Sequence, residues 1–398
     1  MEKRERLQQI DIALVGALLV TALPLILYGR RFLRLFWFAD EIALLHEWNE
    51  IGFSKWAFAS FAENVIPVYK AIWGGAVLLS GGDYDLMILT LWITHFGIIG
   101  LFYQLLRQHS LDRLSSFLAS ATVGIAWGNI HLLTISYHLN AGLAALFALA
   151  ALVIATNSKD RLYGLLVFFI YTVLLAISVL SFSRGIAYAA SFFCYWILRA
   201  WLSKREKTGK YLIFGVLSCI PIVIALTLLL TNTDSANKMH AGLEKNLYQQ
   251  FQYAYTFFAI NPWHHVLQLA GDTWNSPSTL IVFFIVKIVV YGTAIALVPR
   301  ERSGLFALFV MFLAFDLLHS LMLGYGRAAE GLETTIVPRY QRSSLLALAP
   351  ALAFAFVTLT ERFVRGGEVK TATRSVIITL WLTLLLIPWF VKLKHKVK

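Results

Sequence analysis

Cysteine is nearly absent from this chain. Cys194 and Cys219 are the only two, and both sit inside apolar runs. That excludes a disulfide-built secreted scaffold, and the two thiols read as small buried apolar groups. Charge is scarce too. Charged residues make up 14% of the 398 positions while hydrophobic ones make up 59%, whereas a soluble domain carries about 25% charged residues. So little polar surface rules out a soluble enzyme and a disordered chain. A small-residue cleavage site is missing as well: the first apolar stretch, residues 12–28, is followed by Gly29-Arg30-Arg31 and reads as a signal anchor. P-loop, dinucleotide and Ser/His/Asp signatures are absent, as are low-complexity tracts, internal repeats and any soluble domain.

What is abundant is apolar length. Runs of about 20 residues, enough to cross a bilayer as helix, recur near 11–28, 84–106, 114–129, 134–156, 162–180, 185–202, 211–231, 276–298, 304–324, 343–361 and 374–391. The expectation is an all-α, polytopic integral membrane protein, one transmembrane domain over residues 1–398 with about eleven crossings. The net charge of +12 is a topology signal and does not point to nucleic acid. Half of the Lys and Arg fall in the N-terminus and the short loops 107–113, 159–161, 204–210, 300–302 and 362–374. There they are about three times denser than in the opposite loops, which places that side in the cytoplasm. An odd number of crossings leaves the basic tail 392–398 on the outer side, against the rule the five loops obey.

Two outer segments are long. Residues 29–83 carry Trp37, Trp48, Trp56 and Trp73, and Leu44, Leu45, Trp48 and Ile51 recur at helical spacing. One or two helices lying on the interface are expected there. Residues 65–79 are apolar enough to pass for a crossing, but counting them as one would invert every later loop. The second long segment is 232–275.

The polar residues suited to chemistry gather on the outer side: Asp40, Glu41, Glu63, Asn64, His131, His138, Arg184, Glu244, His264, His265, Asp272, Arg327, Glu330, Glu333, Arg339 and Arg342. Asp40-Glu41 follows Phe36-Trp37-Phe38-Ala39. Such a pair acts as general base, holds a divalent cation (Mg²⁺ or Mn²⁺), or caps the helix that follows. Arg184 lies between two apolar helices with almost no loop, and either forks onto a phosphate or pairs with a protein carboxylate. Arg339 and Arg342 open a helix after Pro338, where positive charge opposes the macrodipole. They bind an anionic ligand or snorkel to lipid headgroups. Asp316 and His319 share one helix face and suit an internal hydrogen-bonded pair. Lys287, mid-helix, pairs or snorkels. His264 and His265 read as loop residues.

A signal anchor, an acidic pair opening a long outer loop, the segment Glu63-Asn64-Val65-Ile66-Pro67-Val68-Tyr69 and then a second crossing together resemble the GT-C superfamily of membrane glycosyltransferases. That class includes the protein mannosyltransferases and the aminoarabinose transferase of lipid A. The first-loop acid maps onto Asp40 and Glu41. The Pro67/Tyr69 segment is similar to a His-Pro-x-Tyr stretch of relatives, without its histidine, and Arg339-Tyr340 is similar to an Arg-Tyr in the last outer loop of some. The resemblance implies transfer of a sugar from a polyprenyl-phosphate donor to a glycan, lipid or protein acceptor at the outer face of a bacterial inner membrane, part of the cell envelope. It implies Asp40 and Glu41 as the catalytic carboxylates. Glu63, Asn64, Tyr69, Lys70, His138, Arg184, Arg327, Arg339, Tyr340 and Arg342 would then line the substrate site. A lipid-linked glycan polymerase or ligase, and a transporter of lipid-linked sugar, are the alternatives.

Overall fold

Inside a bilayer every backbone polar group must find its partner within the chain, so a long apolar run folds as helix. The computed structural model describes residues 11–32, 35–61, 64–157, 164–203, 205–231, 246–267, 272–363 and 367–396, and over these it is built from helices and the turns between them, with no strand. Glu63, Glu244 and the basic loop 159–161 lie outside the described residues. The helices are α1 (Ile12–Phe32), α2 (Ala39–Ile51), α3 (Phe53–Phe58), α4 (Pro67–Ser80), α5 (Tyr84–Gln108), α6 (Arg113–Ile125), α7 (Asn129–Leu132), α8 (Leu139–Asn157), α9 (Gly164–Ser181), α10 (Arg184–Leu202), α11 (Arg205–Thr231), α12 (Leu247–Ile260), α13 (Trp263–Leu267), α14 (Pro277–Leu297), α15 (Ser303–Arg327), α16 (Pro338–Phe363) and α17 (Gly367–Lys396).

Among the described residues eight segments are long and apolar enough to cross a membrane: Tyr84–Gln108, Ser136–Asn157, Gly164–Ser181, Arg184–Leu202, Lys207–Thr231, Pro277–Leu297, Ser303–Glu330 and Pro338–Arg362. The chain is an all-α polytopic membrane protein. Of the eleven expected crossings, the first and last carry shorter apolar stretches, Ile12–Leu27 and Thr373–Pro388. The third, expected at 114–129, is not one helix. α6 ends at Ile125 after 13 residues, about 20 Å at 1.5 Å per residue and short of a roughly 30 Å hydrocarbon core. The chain goes on through Ala126, a turn, α7 and the 3₁₀ turn Ser136–His138 before α8 begins. Irregular backbone at that depth is tolerated only inside protein, and residues 126, 128, 129, 132 and 133 are buried. The carbonyls freed at the end of α6 are met by side chains. Asn129 Nδ2 donates to Val123 O at 2.6 Å, and His95 Nε2 donates to Gly124 O at 3.0 Å.

Burial sorts the helices into layers. α8 and α16 are the most enclosed, while α11 and α14 turn most of their apolar side chains outward, Val216 and Val223 on one and Val282 and Val289 on the other. Exposed apolar faces on that scale suit lipid. One large core cluster runs through α5, α8, α10, α15 and α16, from Phe102 and Leu149 to Phe312 and Leu348. A second cluster lies beneath the first long loop, joining Leu44, Trp56, Tyr69 and Trp73 to Tyr84, Trp92 and Tyr137.

That first loop is helical, as its spacing predicts, with three helices where one or two were expected. α4 runs 14 residues, too few to cross. Pro67 opens it in the first turn, and Gly81 closes it with φ +60°, a left-handed conformation that suits glycine. The bundle therefore has two unlike ends, one built by the first long loop and the other carrying the short connections 109–112 and 298–302.

A buried ion pair locks the second half. Lys287 Nζ lies 2.6 Å from Asp316 Oδ2, and it also donates to the carbonyls of Phe258 and Asn261 and to Ser344 Oγ. Ser344 and Tyr291 donate to Asp316. Of the two readings open for Lys287, pairing or snorkelling, the pairing is the one present, and the partner is Asp316.

Candidate functional site

The two adjacent carboxylates of the first loop have different surroundings. Glu41 is fully buried. Its Oε2 accepts from the Phe38 amide at 2.6 Å, closing the N-terminus of α2. Tyr84 OH donates to both oxygens at 3.1 Å, the Tyr137 amide donates at 3.0 Å, and Ser136 Oγ donates a short bond. A carboxylate with this many donors is a brace between α2, α5 and the Ser136–His138 turn. Asp40, one residue earlier, is half-exposed, and among the described residues no hydrogen bond or ion pair engages its side chain. The available carboxylate of the pair is Asp40.

Other first-loop candidates divide in the same way. Lys70 is buried and donates to Trp56 O at 2.8 Å, Ala59 O at 3.0 Å and Glu47 Oε2 at 3.3 Å. Burial lowers its pKa, and the Glu47 carboxylate works against that shift. Its task is to tie α2, α3 and α4 together, which sets it apart from the expected substrate contact. Tyr69 and Asn64 are buried with polar atoms unsatisfied, the Tyr69 hydroxyl and Asn64 Oδ1. Burial raises the Tyr69 pKa well above its usual value, and Tyr137 and the charges of Glu41 and Asp40 raise it further. The Tyr69 ring meets Tyr137 edge-on at 5.9 Å.

The Ser136–His138 turn links this acidic corner to a basic one. Tyr137 packs on Tyr69, and the next side chain, His138, lies in the field of Arg339 and Arg184. Arg184 opens α10 straight after the hairpin from α9. Gly185 allows that turn, since a Cβ there would stand 2.4 Å from Val179 Cα. The Arg184 guanidinium is buried. Nε donates to His319 Nε2 at 3.2 Å and NH2 to the Arg339 carbonyl at 2.6 Å. Arg342, one turn along α16 from Arg339, is also buried and donates to His95 Nδ1. Among the described residues Arg339 has no hydrogen bond or ion pair through its side chain, and it lies over the Tyr340 ring at 4.9 Å.

Arginine stays charged in proteins. Among the described residues no carboxylate pairs with Arg184, Arg339 or Arg342. Of the two readings open for Arg184, the ion pair with a protein acid is therefore not formed there. Unsatisfied donors cluster at the same place: Arg339 Nε, Arg342 Nε, His319 Nδ1 and the Tyr340 hydroxyl are buried without partners. Leaving guanidinium groups buried without counter-charge costs several kcal/mol. An acceptor-rich anion removes that cost, and a phosphate has both the charge and the geometry for it.

Two expectations are corrected. Asp316 and His319 do not bond to each other. Asp316 is held by Lys287, Tyr291 and Ser344, while His319 accepts from Arg184, because neighbouring helices approach the two residues from different sides. His264 and His265 lie in the short helix α13, not in a loop, and His265 is buried against the broken end of α6, its Nε2 3.3 Å from Asn129 Oδ1. Arg327 is half-buried, ion-paired with Glu330 and set over the Tyr340 ring at 5.9 Å. It belongs to the rim of the basic corner.

The donor set does not fit Mg²⁺ or Mn²⁺ at the acidic pair. These ions need several oxygen ligands, and both oxygens of Glu41 are already occupied by donors. No group of three or more His, Cys, Asp or Glu suited to a metal occurs among the described residues.

Sequence reading passed over His95, His319 and Tyr137 as parts of the site. The signal for the two histidines was there, since an ionisable residue inside an apolar run is a functional candidate by default. Tyr137 carried no such signal, because a tyrosine among apolar residues reads as core.

A cavity of about 970 Å³ lies at the opposite, basic-loop end of the bundle, away from these arginines. The chain matches no family model, no curated protein and no solved structure.

Proposed function

We propose that this protein is a membrane glycosyltransferase of the GT-C type that transfers a sugar from a polyprenyl-phosphate donor to a glycan, lipid or protein acceptor. The reaction is inverting and takes place at the outer face of a bacterial inner membrane. The observation that carries the reading is the set of three guanidinium groups, Arg184, Arg339 and Arg342, that no carboxylate among the described residues pairs with, and the Ser136–His138 turn, which is bonded to Glu41, the neighbour of the unengaged Asp40, and whose His138 lies in the field of Arg339 and Arg184. The density of Lys and Arg in the loops at the far end supports an outer location for this corner.

The donor phosphate sits among the arginines, with its lipid tail between helices. The acceptor hydroxyl attacks the anomeric carbon, and its proton passes to the Asp40 carboxylate. As the new C–O bond forms, the bond from the anomeric carbon to the phosphate oxygen breaks, and the electron pair leaves with the lipid phosphate. Guanidinium groups already in place stabilise the charge that develops there. A phosphate is a fair leaving group, so charge stabilisation matters more than acid catalysis. Glu41 and Lys70 hold the first loop so that Asp40 and Tyr69 keep their positions. In this mechanism Glu41 is a positioning residue and Asp40 the base.

The deciding experiment incubates purified protein in nanodiscs with radiolabelled polyprenyl-phosphate sugars and candidate acceptors, and looks for a new glycosidic bond. Transfer that disappears in Asp40→Asn supports the assignment. Movement of the lipid-linked sugar across vesicles with no bond formed would make the protein a transporter instead.

A further inference from the structure

The basic-loop end holds the cavity of about 970 Å³, within the size range of small-molecule sites. It is formed where the ends of α5, α8 and α10 meet the starts of α9, α11 and α15. From His95 its rim at Gln108 is about 20 Å away along α5, at 1.5 Å per residue. It is thus separate from the arginine corner described above.

Its lining is strongly cationic. Arg199, Lys207, Lys210 and Arg302 face it, and among the described residues Glu301 is the only acid that lines it. Arg199 is half-buried in the last turn of α10. It donates to Tyr211 OH at 3.0 Å and to Ser303 Oγ at 3.3 Å, and its Nε is buried with no partner. The guanidinium fits because residue 304 is glycine: a Cβ there would come within 2.9 Å of Arg199 NH1. Arg302 has only a long 3.4 Å contact to the Ser110 carbonyl. No salt bridge joins Glu301 to Arg199 or Arg302. His109 is part of the wall, buried and bonded to Tyr195 OH at 2.7 Å and to the Leu105 carbonyl.

A roomy hollow with several cations, one unpaired acid and an unsatisfied guanidinium donor has the chemistry of a phosphate site. We infer that this cavity binds a phosphate-bearing ligand through Arg199, Lys207 and Arg302, either the headgroup of an anionic lipid in the adjacent leaflet or a soluble phosphate compound. The inference does not rest on the transferase reading, because it concerns the other end of the molecule.

Two arms distinguish the sources. Full-length protein in detergent is titrated with inorganic pyrophosphate by calorimetry. In parallel, protein in nanodiscs of phosphatidylcholine with added phosphatidic acid is analysed by native mass spectrometry for retained phosphatidic acid. Saturable pyrophosphate binding identifies a soluble ligand, and enrichment of phosphatidic acid alone identifies a headgroup. In whichever arm responds, Arg199→Gln weakens binding by about tenfold or more, the loss expected of one charge-assisted hydrogen bond. The double variant Lys207→Gln/Arg302→Gln, whose two side chains are exposed, does the same without touching the packed floor. A silent result in both arms overturns the inference. So does binding that both variants leave unchanged, or that Arg342→Gln abolishes instead.

Discussion

Arg342 donates to Nδ1 of His95, the same imidazole whose Nε2 donates to the Gly124 carbonyl at 3.0 Å. The second bond requires the proton on Nε2, which leaves the Nδ1 lone pair for the guanidinium. One neutral histidine therefore closes the broken end of α6 and orients an arginine of the candidate site. Replacing it by alanine leaves a buried carbonyl with one partner fewer and a guanidinium with none. His95→Ala is expected to lose about 1–3 kcal/mol of stability, seen as a lower melting temperature in detergent, together with weaker binding of polyprenyl phosphate.

The acidic pair separates by experiment. On the proposed mechanism Asp40→Asn removes the base while disturbing no hydrogen bond among the described residues, so transfer is expected to be abolished and the melting temperature unchanged. Glu41→Gln puts an amide where several donors converge on a buried carboxylate, and about 3 kcal/mol of stability is lost. A melting curve for each variant beside a transfer assay checks both halves. An unstable Asp40→Asn or a fully stable Glu41→Gln reverses the roles.

Arg184 is expected to contribute through its fork. Arg184→Lys keeps the charge but loses the planar pair of donors that reach His319 and the Arg339 carbonyl. Affinity for polyprenyl phosphate, measured by titration in detergent, falls about tenfold or more. Full affinity in the lysine variant shows that charge alone holds the donor.

Gly185→Ala tests the same arginine through the backbone. The added Cβ meets Val179 Cα at 2.4 Å, so the hairpin opens and Arg184 shifts. Transfer falls while the loop-tying contacts of Lys70, on a different element, keep the first loop folded. Limited proteolysis confined to the wild-type pattern, beside reduced activity, is the expected outcome.

Stability depends on pH through His265. Burial, followed by the charge of Arg342 and the neighbouring His264, pushes its pKa down to about 3; the unfolded chain titrates near 6.5. Between those values the unfolded state binds a proton that the folded state refuses, so stability is lost as pH falls through that window. Across the whole window the loss is on the order of a few kcal/mol. Melting temperatures measured stepwise from pH 7 to pH 4 decline, and His265→Gln declines less steeply.

The sites differ in how far the chain's letters reveal them. Asp40, Arg184, Arg339 and Arg342 stand out because charge is rare in this composition and each sits beside an apolar run. Their surroundings are not legible that way. Asp40 and Glu41 are neighbours in sequence and chemically alike, yet α2 turns one toward Tyr84 and Ser136 and leaves the other open. Asp316 and His319 share a helix face, yet α14 and α16 claim the first and α10 the second. The third crossing fails for a local reason of the same kind: residues 114–129 are apolar enough to span, but Asn129 and His95 stabilise a break that no periodicity displays.

By itself the sequence determined the helical membrane architecture, the presence of interface helices in the first long loop and the unequal charge of the two ends, because hydropathy and charge density are sums over stretches of chain. Only the tertiary structure decided which carboxylate is spent on bracing, which arginines lack an acid, and that a second basic hollow opens at the far end. Pairing and burial depend on which helix faces meet, and residues remote in the chain, such as Arg342 and His95, supply each other's partners.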